Sequence, residues 1–140
     1  MKNKKPIIII AGEPNSIFLE IFFKSLKNKK IIRPILLIVS KKLLMAQMQR
    51  LKYKFSFNFL ENDSFNIRNI NNKKINILNI NFSFKKPFEK ISKNSKNYIE
   101  KCFKVALDLI KKNNIKFLIN GPISKKYFLE KKYSGVTEYL

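Results

Sequence analysis

The chain has 140 residues, 45% of them hydrophobic, and a formal net charge of +21 with no histidine and one cysteine. This length and apolar content suit one domain with a hydrophobic core and argue against wholesale disorder. The longest aliphatic run, Ile7 to Ile10, is far shorter than the ~20 residues that span a bilayer, so we expect no membrane partner. It leads into Gly12-Glu13-Pro14 rather than a small-residue cleavage site, so we expect no signal peptide. The single Cys102 allows no internal disulfide, which favours a cytoplasmic protein.

The high positive charge has two interpretations. The first is a polyanionic partner, either nucleic acid or an anionic membrane surface. The second is compositional drift, because Lys, Asn and Ile all have AT-rich codons and are abundant in this chain. Proteins that clamp phosphates or read bases rely on Arg, whose planar fork bonds bidentately, yet only Arg33, Arg50 and Arg68 occur among the 30 basic residues. We therefore favour drift and do not expect nucleic acid to be a partner.

Two strand–helix pairs open the chain. Pro6 to Ala11 and Pro34 to Val39 are short aliphatic runs bounded by Pro, Gly or Ser, as is typical of buried strands. Asn15 or Ser16 is a candidate cap for the first helix, and Ser40 is a candidate cap for the second. The first helix carries Ile17, Ile21 and Leu26 together with Phe18, Phe22 and Phe23. On the second, which runs to about Leu51, we expect one face to carry Leu43, Leu44, Gln47 and Met48.

The rest of the chain continues this alternation, which predicts a parallel sheet covered by helices. Two strands are predicted in the middle, one around the alternating Phe55, Phe57 and Phe59 and one from Ile75 to about Ile80. Asn97-x-x-Glu100 matches a capping box. The helix that follows has a buried stripe of Ile99, Cys102, Phe103, Ala106, Leu109 and Ile110. Then we expect a buried strand over 116–120, a helix over 124–131 and a further helix beginning near Thr137.

Few residues offer catalytic chemistry. Without histidine the chain lacks the commonest general base and metal ligand, and its nine acidic residues are scattered, so no metal site is predicted. Cys102 lies on the helix stripe and is interpreted as a core residue. Gly12 and Gly121 each follow a predicted strand, and open α/β sheets bind ligands at that edge. Lys125, at the start of a helix, is a candidate phosphate ligand. The alternative is an ordinary Gly-Pro turn followed by a solvated lysine.

Three segments, taken in order, resemble the 4-hydroxythreonine-4-phosphate dehydrogenase family of vitamin B6 biosynthesis. Residues 6–14, Pro-Ile-Ile-Ile-Ile-Ala-Gly-Glu-Pro, are similar to that family's opening strand and its Gly-Glu-Pro or Gly-Asp-Pro turn. Residues 119–125, Ile-Asn-Gly-Pro-Ile-Ser-Lys, resemble its Thr-Gly-Pro-x-x-Lys motif. Residues 134–138, Ser-Gly-Val-Thr-Glu, resemble its Gly-His-Thr-Glu motif. Each motif is weak alone, and it is their order and spacing that make the combination specific.

The resemblance implies a three-layer α/β/α fold with a mostly parallel sheet, like that of the isocitrate and isopropylmalate dehydrogenases. Residues 1–140 would form a single, incomplete N-terminal part of a two-domain, homodimeric enzyme. The implied reaction is NAD- or NADP-dependent oxidation of 4-phosphooxy-threonine to a 3-keto acid, which then loses CO2. A divalent metal (Zn, Mg or Co) would act as a Lewis acid. The resemblance implies that Thr137 contacts the substrate and that Lys125 belongs to the active site.

Several departures limit what the resemblance carries over. Val136 stands where the family has a substrate-binding histidine, and valine cannot hydrogen-bond a phosphate or carboxylate. Asn15 to Leu19 replace the family's Ala-Gly-Ile-Gly-Pro. Family members are more than twice as long, and their metal-binding histidines and most of their cofactor site lie beyond the position of Leu140. We therefore expect residues 1–140 alone to be inactive, with no identified catalytic or cofactor-binding residue.

Three hypotheses follow from these observations. The first is a member or N-terminal part of this dehydrogenase family. The second is a non-catalytic remnant that binds a phosphorylated ligand or a partner subunit. The third is a small basic nucleic-acid-binding protein, which would bind DNA or RNA tightly and with a steep salt dependence.

Overall fold

A computed structural model describes residues 4–140, and the chain forms an α/β fold. The elements are β1 (Ile7–Ile10), α1 (Phe18–Leu26), β2 (Ile35–Val39), α2 (Lys41–Arg50), β3 (Phe57–Glu61), β4 (Ile75–Asn79), α3 (Lys96–Asn113), β5 (Leu118–Asn120) and α4 (Val136–Tyr139). A 3-10 turn (Lys93–Ser95) precedes α3, and a π-helical turn (Lys125–Leu129) lies between β5 and α4. The strands predicted from the alternating middle segment are therefore confirmed as β3 and β4.

The five strands form one sheet in the order β3-β4-β2-β1-β5, and every neighbouring pair is parallel. Ile9 of β1 lies between Leu37 of β2 and Ile119 of β5 in the register. Parallel neighbours require crossover connections. The helix α1 provides the one between β1 and β2, whereas β3 joins β4 through residues 62–74, which contain a 3-10 turn and no α-helix. The prediction of a parallel, helix-covered sheet is confirmed, and β3 and β5 are its edges.

Successive residues of each strand serve opposite faces of the sheet, because side chains alternate along a strand. Ile8 and Ile10 pack with α3, whereas Ile9 and Ala11 pack with α1 and α2. The sheet is thus the middle of three layers, as the resemblance implied. α3 contributes a set of side chains to the core on this face of the sheet. The buried ones are Tyr98, Ile99, Cys102, Phe103, Ala106 and Leu109, and Ile110 is partly buried. Cys102 is confirmed as a core residue.

The buried face of α1 holds only some of the apolar residues that the sequence places on this helix. Ile17 and Ile21 are exposed, and the buried residues are Leu19, Phe22 and Phe23. The buried set is spaced i, i+3, i+4, which defines one face of a helix. Ile17 lies two positions before Leu19, about 200° around the axis at 3.6 residues per turn, and Ile21 lies on the same far side. On α2, the face predicted from the sequence is buried as expected.

Of the three helix starts with a predicted cap, that of α2 is confirmed and those of α1 and α3 differ from the prediction. The Ser40 side chain caps α2 by accepting a hydrogen bond from the Leu43 amide at 3.3 Å, as predicted. The capping box at Asn97 is wrong, because α3 already begins at Lys96 with Ser95 as its N-cap. Ser95 makes no cap bond; its backbone already has helical angles (φ −83°, ψ −11°) after the 3-10 turn, and its hydroxyl donates to the Glu13 carboxylate. At α1 the N-cap is Ile17 rather than Asn15 or Ser16, although the Ser16 hydroxyl accepts a bond from the Phe18 amide.

The C-terminal segment is less regular than the sequence pattern suggested. The strand expected to be buried over 116–120 is the edge strand β5, and Ile119 is 50% exposed. The expected helix over 124–131 is the π-helical turn, which stops where Glu130 and Lys131 take positive φ angles. Phe128 and Leu129 of that turn are buried under α3. Within residues 4–140, no helix combines the length and apolar character needed to cross a membrane.

Candidate functional site

Two loops cross at the carboxyl ends of β1 and β5. The Gly121 amide donates to the Ile10 carbonyl at 2.7 Å, and the Glu13 amide donates to the Pro122 carbonyl at 2.8 Å. Gly12 has a φ of +77°, which favours glycine. A Cβ on Gly12 would lie 2.8 Å from the Gly121 carbonyl carbon, and one on Gly121 would lie 2.7 Å from the Ala11 carbonyl carbon. The crossing therefore needs glycine in both loops.

Glu13 is buried inside this crossing, with only 3% of its surface exposed. Its carboxylate accepts hydrogen bonds from the Ser95 hydroxyl at 2.9 Å and the Asn15 amide at 3.5 Å. Burial raises the pKa of Glu13 above its ordinary value, because desolvation disfavours the charged form more than these two hydrogen bonds favour it. The folded protein thus holds this proton more tightly than the unfolded chain, and stability contributed by Glu13 falls as pH rises through the folded pKa.

Gln47 joins the same loop to a second segment. Its side-chain amide donates to the carbonyl of Pro14 and to the carbonyl of Pro87, both at 2.8 Å. The residue is fully buried, and its side-chain oxygen has no hydrogen-bond partner within the described residues. Two carbonyl acceptors fix the orientation of the amide, since the opposite orientation would face oxygen with oxygen. Gln47 therefore holds the loops after β1 and β4 together.

Tyr98 anchors α3 to the same edge of the sheet. Its hydroxyl accepts a hydrogen bond from the Ser40 amide at 2.9 Å, where β2 ends. Burial raises the pKa of Tyr98 well above its ordinary value, so the phenol stays neutral. Burial also raises the pKa of the Cys102 thiol to about 12, so this thiol does not act as a nucleophile near neutral pH.

Lys125 and Thr137 lie on the segment that follows β5. Lys125 is the first residue of the π-helical turn, which the Ser124 hydroxyl caps at the Tyr127 amide, and Thr137 is in α4. Both side chains are exposed, and within residues 4–140 neither makes a hydrogen bond or an ion pair with the other. The crossing loops fix the backbone shortly before Lys125. The roles of Lys125 and Thr137 at a substrate stay predictions.

The end of the chain folds back on α3. The centre of the Tyr139 ring lies 5.4 Å from the centre of the Phe103 ring and 5.0 Å from the centre of the Phe128 ring. Lys96 pairs with Glu130 at 2.9 Å, and its hydrogen bond lowers the pKa of that carboxyl. Val136, which the resemblance matches to a histidine of the family, is partly buried against the α3 core. Its side chain therefore contributes packing.

An open cleft of about 690 Å³ lies between the segment after β4 and the start of α3. Two lysines, Lys93 and Lys101, line it together with amide and aromatic side chains, so the cleft is positively charged. It belongs to the carboxyl side of the sheet, where an open α/β fold binds ligands. The cleft is lined by Asn81, Phe82, Ser83, Lys93, Asn94, Asn97, Tyr98 and Lys101.

The part of the chain that the structure describes does not fit the divalent metal that the resemblance implies. Among residues 4–140, no group of three His, Cys, Asp or Glu side chains is placed to hold a metal ion. Cys102 is buried, and the carboxylate of Glu13 is already hydrogen-bonded to Ser95 and Asn15. Residues 4–140 therefore offer no set of side chains that would hold that metal.

Sequence reasoning missed the buried polar contacts of this site. Glu13 stood out only as part of a turn, and no local pattern signals that its partner is Ser95, far away in sequence. Gln47 was a partial exception, because the helical period placed this polar residue on a buried face. A buried polar side chain on an otherwise apolar stripe is the signal that could have identified it.

Comparisons with known proteins agree with this fold. The family model described as pyridoxal phosphate biosynthetic protein PdxA matches residues 30–140. Among solved structures, the chain is similar to a 4-hydroxythreonine-4-phosphate dehydrogenase from Burkholderia phymatum, with 20% identity and a TM-score of 0.76 over 96% of this chain and 42% of that one. No curated protein sequence matches the chain.

Two further solved structures give the same result. One is a putative 4-hydroxythreonine-4-phosphate dehydrogenase from Salmonella typhimurium, with 17% identity, a TM-score of 0.73, and coverage of 96% of this chain and 43% of that one. The other is a 4-hydroxythreonine-4-phosphate dehydrogenase from Klebsiella pneumoniae, with 16% identity, a TM-score of 0.74, and coverage of 94% and 42%. At these identities the similarity shows the fold. The chain spans less than half the length of these structures.

Proposed function

The chain belongs to the PdxA family of pyridoxal phosphate biosynthetic proteins, and from this premise we propose that it forms the substrate-facing sheet edge of a 4-hydroxythreonine-4-phosphate dehydrogenase. The proposed substrate is 4-phosphooxy-threonine, a phosphorylated hydroxy amino acid. The complete enzyme would oxidise its secondary alcohol with NAD or NADP, and the resulting 3-keto acid would lose CO2. A homodimer and a cytoplasmic location are part of the same proposal.

The observation that carries the proposal is the crossing of the Gly12 and Gly121 loops. Two backbone hydrogen bonds of 2.7 and 2.8 Å fix residues 121 and 122 against the end of β1. The chain leaves this fixed point toward Lys125, whose exposed ammonium is suited to a phosphate as a point charge. Positioning of this kind is what a binding residue needs, because a rigid support reduces the entropy lost on ligand binding.

The chemistry that we assign to these residues is binding and orientation. Lys125 would pair with the substrate phosphate, and the Thr137 hydroxyl would hydrogen-bond a polar group of the substrate. The positive cleft beside Lys93 and Lys101 would favour an anionic substrate at this edge. Oxidation needs a nicotinamide cofactor and, by resemblance, a Zn, Mg or Co ion, and residues 4–140 offer no matching metal ligands. We therefore assign those functions to parts of the family fold outside this chain.

Calorimetric titration with 4-phosphooxy-threonine tests the proposal directly. We expect Lys125→Ala to weaken binding by about 10- to 100-fold, since a hydrogen bond to a charged group contributes ~1.5–3 kcal/mol. Lys126→Ala removes the same charge from the next residue and is the matched control. Thr137→Val keeps the shape but removes the hydroxyl, and we expect a smaller loss. Equal effects of the Lys125 and Lys126 substitutions would show that only overall charge matters and would refute the assignment.

A second candidate function is binding without turnover. It is favoured by the absence of a three-ligand metal group among residues 4–140 and by the packed Val136. Purified chain would then bind 4-phosphooxy-threonine but reduce neither NAD nor NADP in the presence of Zn, Mg or Co ions. Sustained production of reduced cofactor by this chain alone would exclude it.

A further inference from the structure

Five basic side chains gather at the amino ends of the strands, which is the opposite end of the sheet from the candidate site. All neighbouring strands are parallel, so the residues that precede them lie side by side at this end. Two adjoining clefts of about 430 and 240 Å³ open here, and Lys4 and Lys5 line both of them. The basic side chains of the two clefts form what we call the amino-end cluster: Lys4, Lys5, Arg33, Arg68 and Lys116.

The charge of this cluster is not balanced by carboxylates. Among residues 4–140, no Asp or Glu lines either cleft. The ion pairs of the described chain join Lys24 to Glu20 and Lys96 to Glu130, and none of these residues belongs to the cluster. Like charges that share a small volume repel one another, and a bound anion would offset that repulsion. The cluster therefore favours an anionic ligand.

Arginine is concentrated in this cluster although it is rare in the chain. Only three of the 30 basic residues are arginine, and two of them, Arg33 and Arg68, lie on the two adjoining clefts. Compositional drift accounts for lysines spread over the surface, but it gives no reason for this placement. The planar fork of arginine bonds two phosphate oxygens at once, whereas lysine acts as a point charge. We therefore expect phosphate to be the anionic group.

Arg33 is held in place by its neighbours. Its guanidinium carbon lies 4.8 Å from the centre of the Phe117 ring, and its Nη1 donates to the Lys5 carbonyl at 3.5 Å. The Lys5 ammonium in turn donates to the Asn114 carbonyl at 3.0 Å, at the C-terminus of α3. An aromatic ring and neutral carbonyls orient these two cations without neutralising them. A guanidinium that is already oriented loses less entropy when it binds a phosphate.

We propose that the amino-end cluster binds the oligophosphate group of a small soluble ligand, the group that nucleoside triphosphates carry. A volume of a few hundred Å³ is the size of pocket that small molecules use. Because the two clefts share Lys4 and Lys5, several linked phosphates can extend between them and contact both arginines. Inorganic tripolyphosphate carries the same group without a nucleoside, so titrations with both ligands distinguish the two sources.

A nucleic acid strand fits the cluster less well. Proteins that bind single strands stack successive bases on several aromatic side chains. Within the described residues, Phe117 is the one aromatic side chain that lines these clefts, and the Arg33 guanidinium already lies over its ring. The geometry therefore favours a short ligand over a polymer.

The cluster is separate from the proposed substrate site. β1 is four residues long, so roughly 13 Å of strand lies between its two ends. Lys125 and Thr137 follow the carboxyl end of β5, whereas Lys116 precedes its amino end. The inference does not rest on the proposed function, and either can fail while the other holds.

Calorimetric titration of the purified chain with ATP at ~150 mM salt tests the proposal, because charges more than about 8 Å from the ligand are largely screened there. Arg33→Gln removes the oriented guanidinium. Arg50→Gln removes the same charge from an exposed position at the end of α2 and is the matched control. We expect Arg33→Gln to weaken ATP binding by at least about tenfold and Arg50→Gln by less than about twofold. Arg33→Lys keeps the charge but loses the planar fork, and we expect an intermediate loss.

Arg68→Gln provides a second test that does not depend on Arg33. Arg68 is exposed, and within residues 4–140 its side chain makes no hydrogen bond or ion pair, so circular dichroism should show an intact fold for this variant. We expect it to weaken the binding of ATP and of inorganic tripolyphosphate by at least about threefold. Adenosine should not bind. Equal affinities for ATP and tripolyphosphate would assign all contacts to the phosphates, whereas tighter binding of ATP would identify a nucleotide as the ligand.

Several results would overturn the proposal. Equal losses for Arg33→Gln and Arg50→Gln would show that only overall charge attracts the phosphates. Absence of ATP and tripolyphosphate binding at this salt concentration would exclude the site. Loss of ATP binding in Lys125→Ala rather than in Arg33→Gln would place the phosphates at the opposite end of the sheet. Displacement of ATP by an equal concentration of a single-stranded oligonucleotide would assign the cluster to nucleic acid instead.

One further titration separates this proposal from the proposed function. We expect Arg33→Gln to leave the affinity for 4-phosphooxy-threonine unchanged, and Lys125→Ala to leave the affinity for ATP unchanged. Failure of ATP binding together with normal binding of 4-phosphooxy-threonine would therefore refute the amino-end site alone.

Discussion

Substitution of Gly121 by alanine tests the structural basis of the candidate site. The added Cβ would lie 2.7 Å from the Ala11 carbonyl carbon and 3.1 Å from the Ile10 oxygen, and still closer to the Ala11 oxygen. These are backbone atoms, so the loops must separate. Separation would break the Gly121–Ile10 and Glu13–Pro122 hydrogen bonds, and each buried polar group left without a partner costs ~1–3 kcal/mol. We therefore expect Gly121→Ala to lower the free energy of unfolding by about 2–5 kcal/mol.

Urea unfolding followed by circular dichroism measures this loss, and Gly135→Ala is the matched control. At Gly135 an added Cβ meets only the movable end of the Glu138 side chain at 3.1 Å, and the backbone is extended. We expect that control to change the free energy of unfolding by less than about 0.5 kcal/mol, as for an ordinary surface substitution. A Gly121→Ala protein within about 0.5 kcal/mol of the wild type would show that the two loops do not cross as described.

Three further predictions concern the buried polar groups and the charge. Folding raises the pKa of Glu13, so the free energy of unfolding of the wild type should fall relative to that of Glu13→Gln as the pH rises through the folded pKa. Urea unfolding measured across a range of pH should therefore show a flatter dependence of this free energy on pH for the variant. Gln47→Leu should lower the free energy of unfolding by about 1–3 kcal/mol, because the Pro14 and Pro87 carbonyls lose their donor, although the unpartnered Gln47 side-chain oxygen is also removed. An unchanged urea midpoint would contradict this expectation. Binding of a fluorescent single-stranded oligonucleotide should be lost by ~150 mM salt, since spread lysines give only screened attraction, and tight binding there would restore the nucleic-acid hypothesis.

The sheet was predictable because its signals are local and repeated. Short, β-branched aliphatic runs such as Ile7–Ile10 and Ile35–Val39, bounded by Pro, Gly or Ser, are typical of buried strands, and the intervening helical periods imply parallel crossovers. The Ser40 cap was also predictable, since the capping hydroxyl and its amide partner are three residues apart. Such features depend on neighbours in the sequence, so the sequence alone specifies them.

Other features depend on partners far away in the sequence. α3 begins one residue before Asn97 because a 3-10 turn whose Ser95 hydroxyl donates to Glu13 leads straight into it, and no pattern around Asn97 reveals that contact. Ile17 and Ile21 have the composition of a buried stripe but lie opposite Leu19 on α1. β5 has the aliphatic content of a central strand but lies at an edge. In each case tertiary placement overrides a correct local preference.

The candidate site combines both kinds of information, which explains how the fold can persist while the side-chain chemistry changes. Aliphatic side chains can exchange for one another in a core at small cost, and surface positions tolerate lysine, so a net charge of +21 is compatible with a TM-score of 0.76 at 20% identity. Val136 illustrates the consequence, because it satisfies packing against the α3 core without offering a hydrogen bond. Gly12 and Gly121 cannot be replaced in this way, since a Cβ at either position would clash with backbone atoms. Backbone geometry at this edge is therefore retained by steric necessity, whereas the chemistry at Lys125 and Thr137 has to be established by binding measurements.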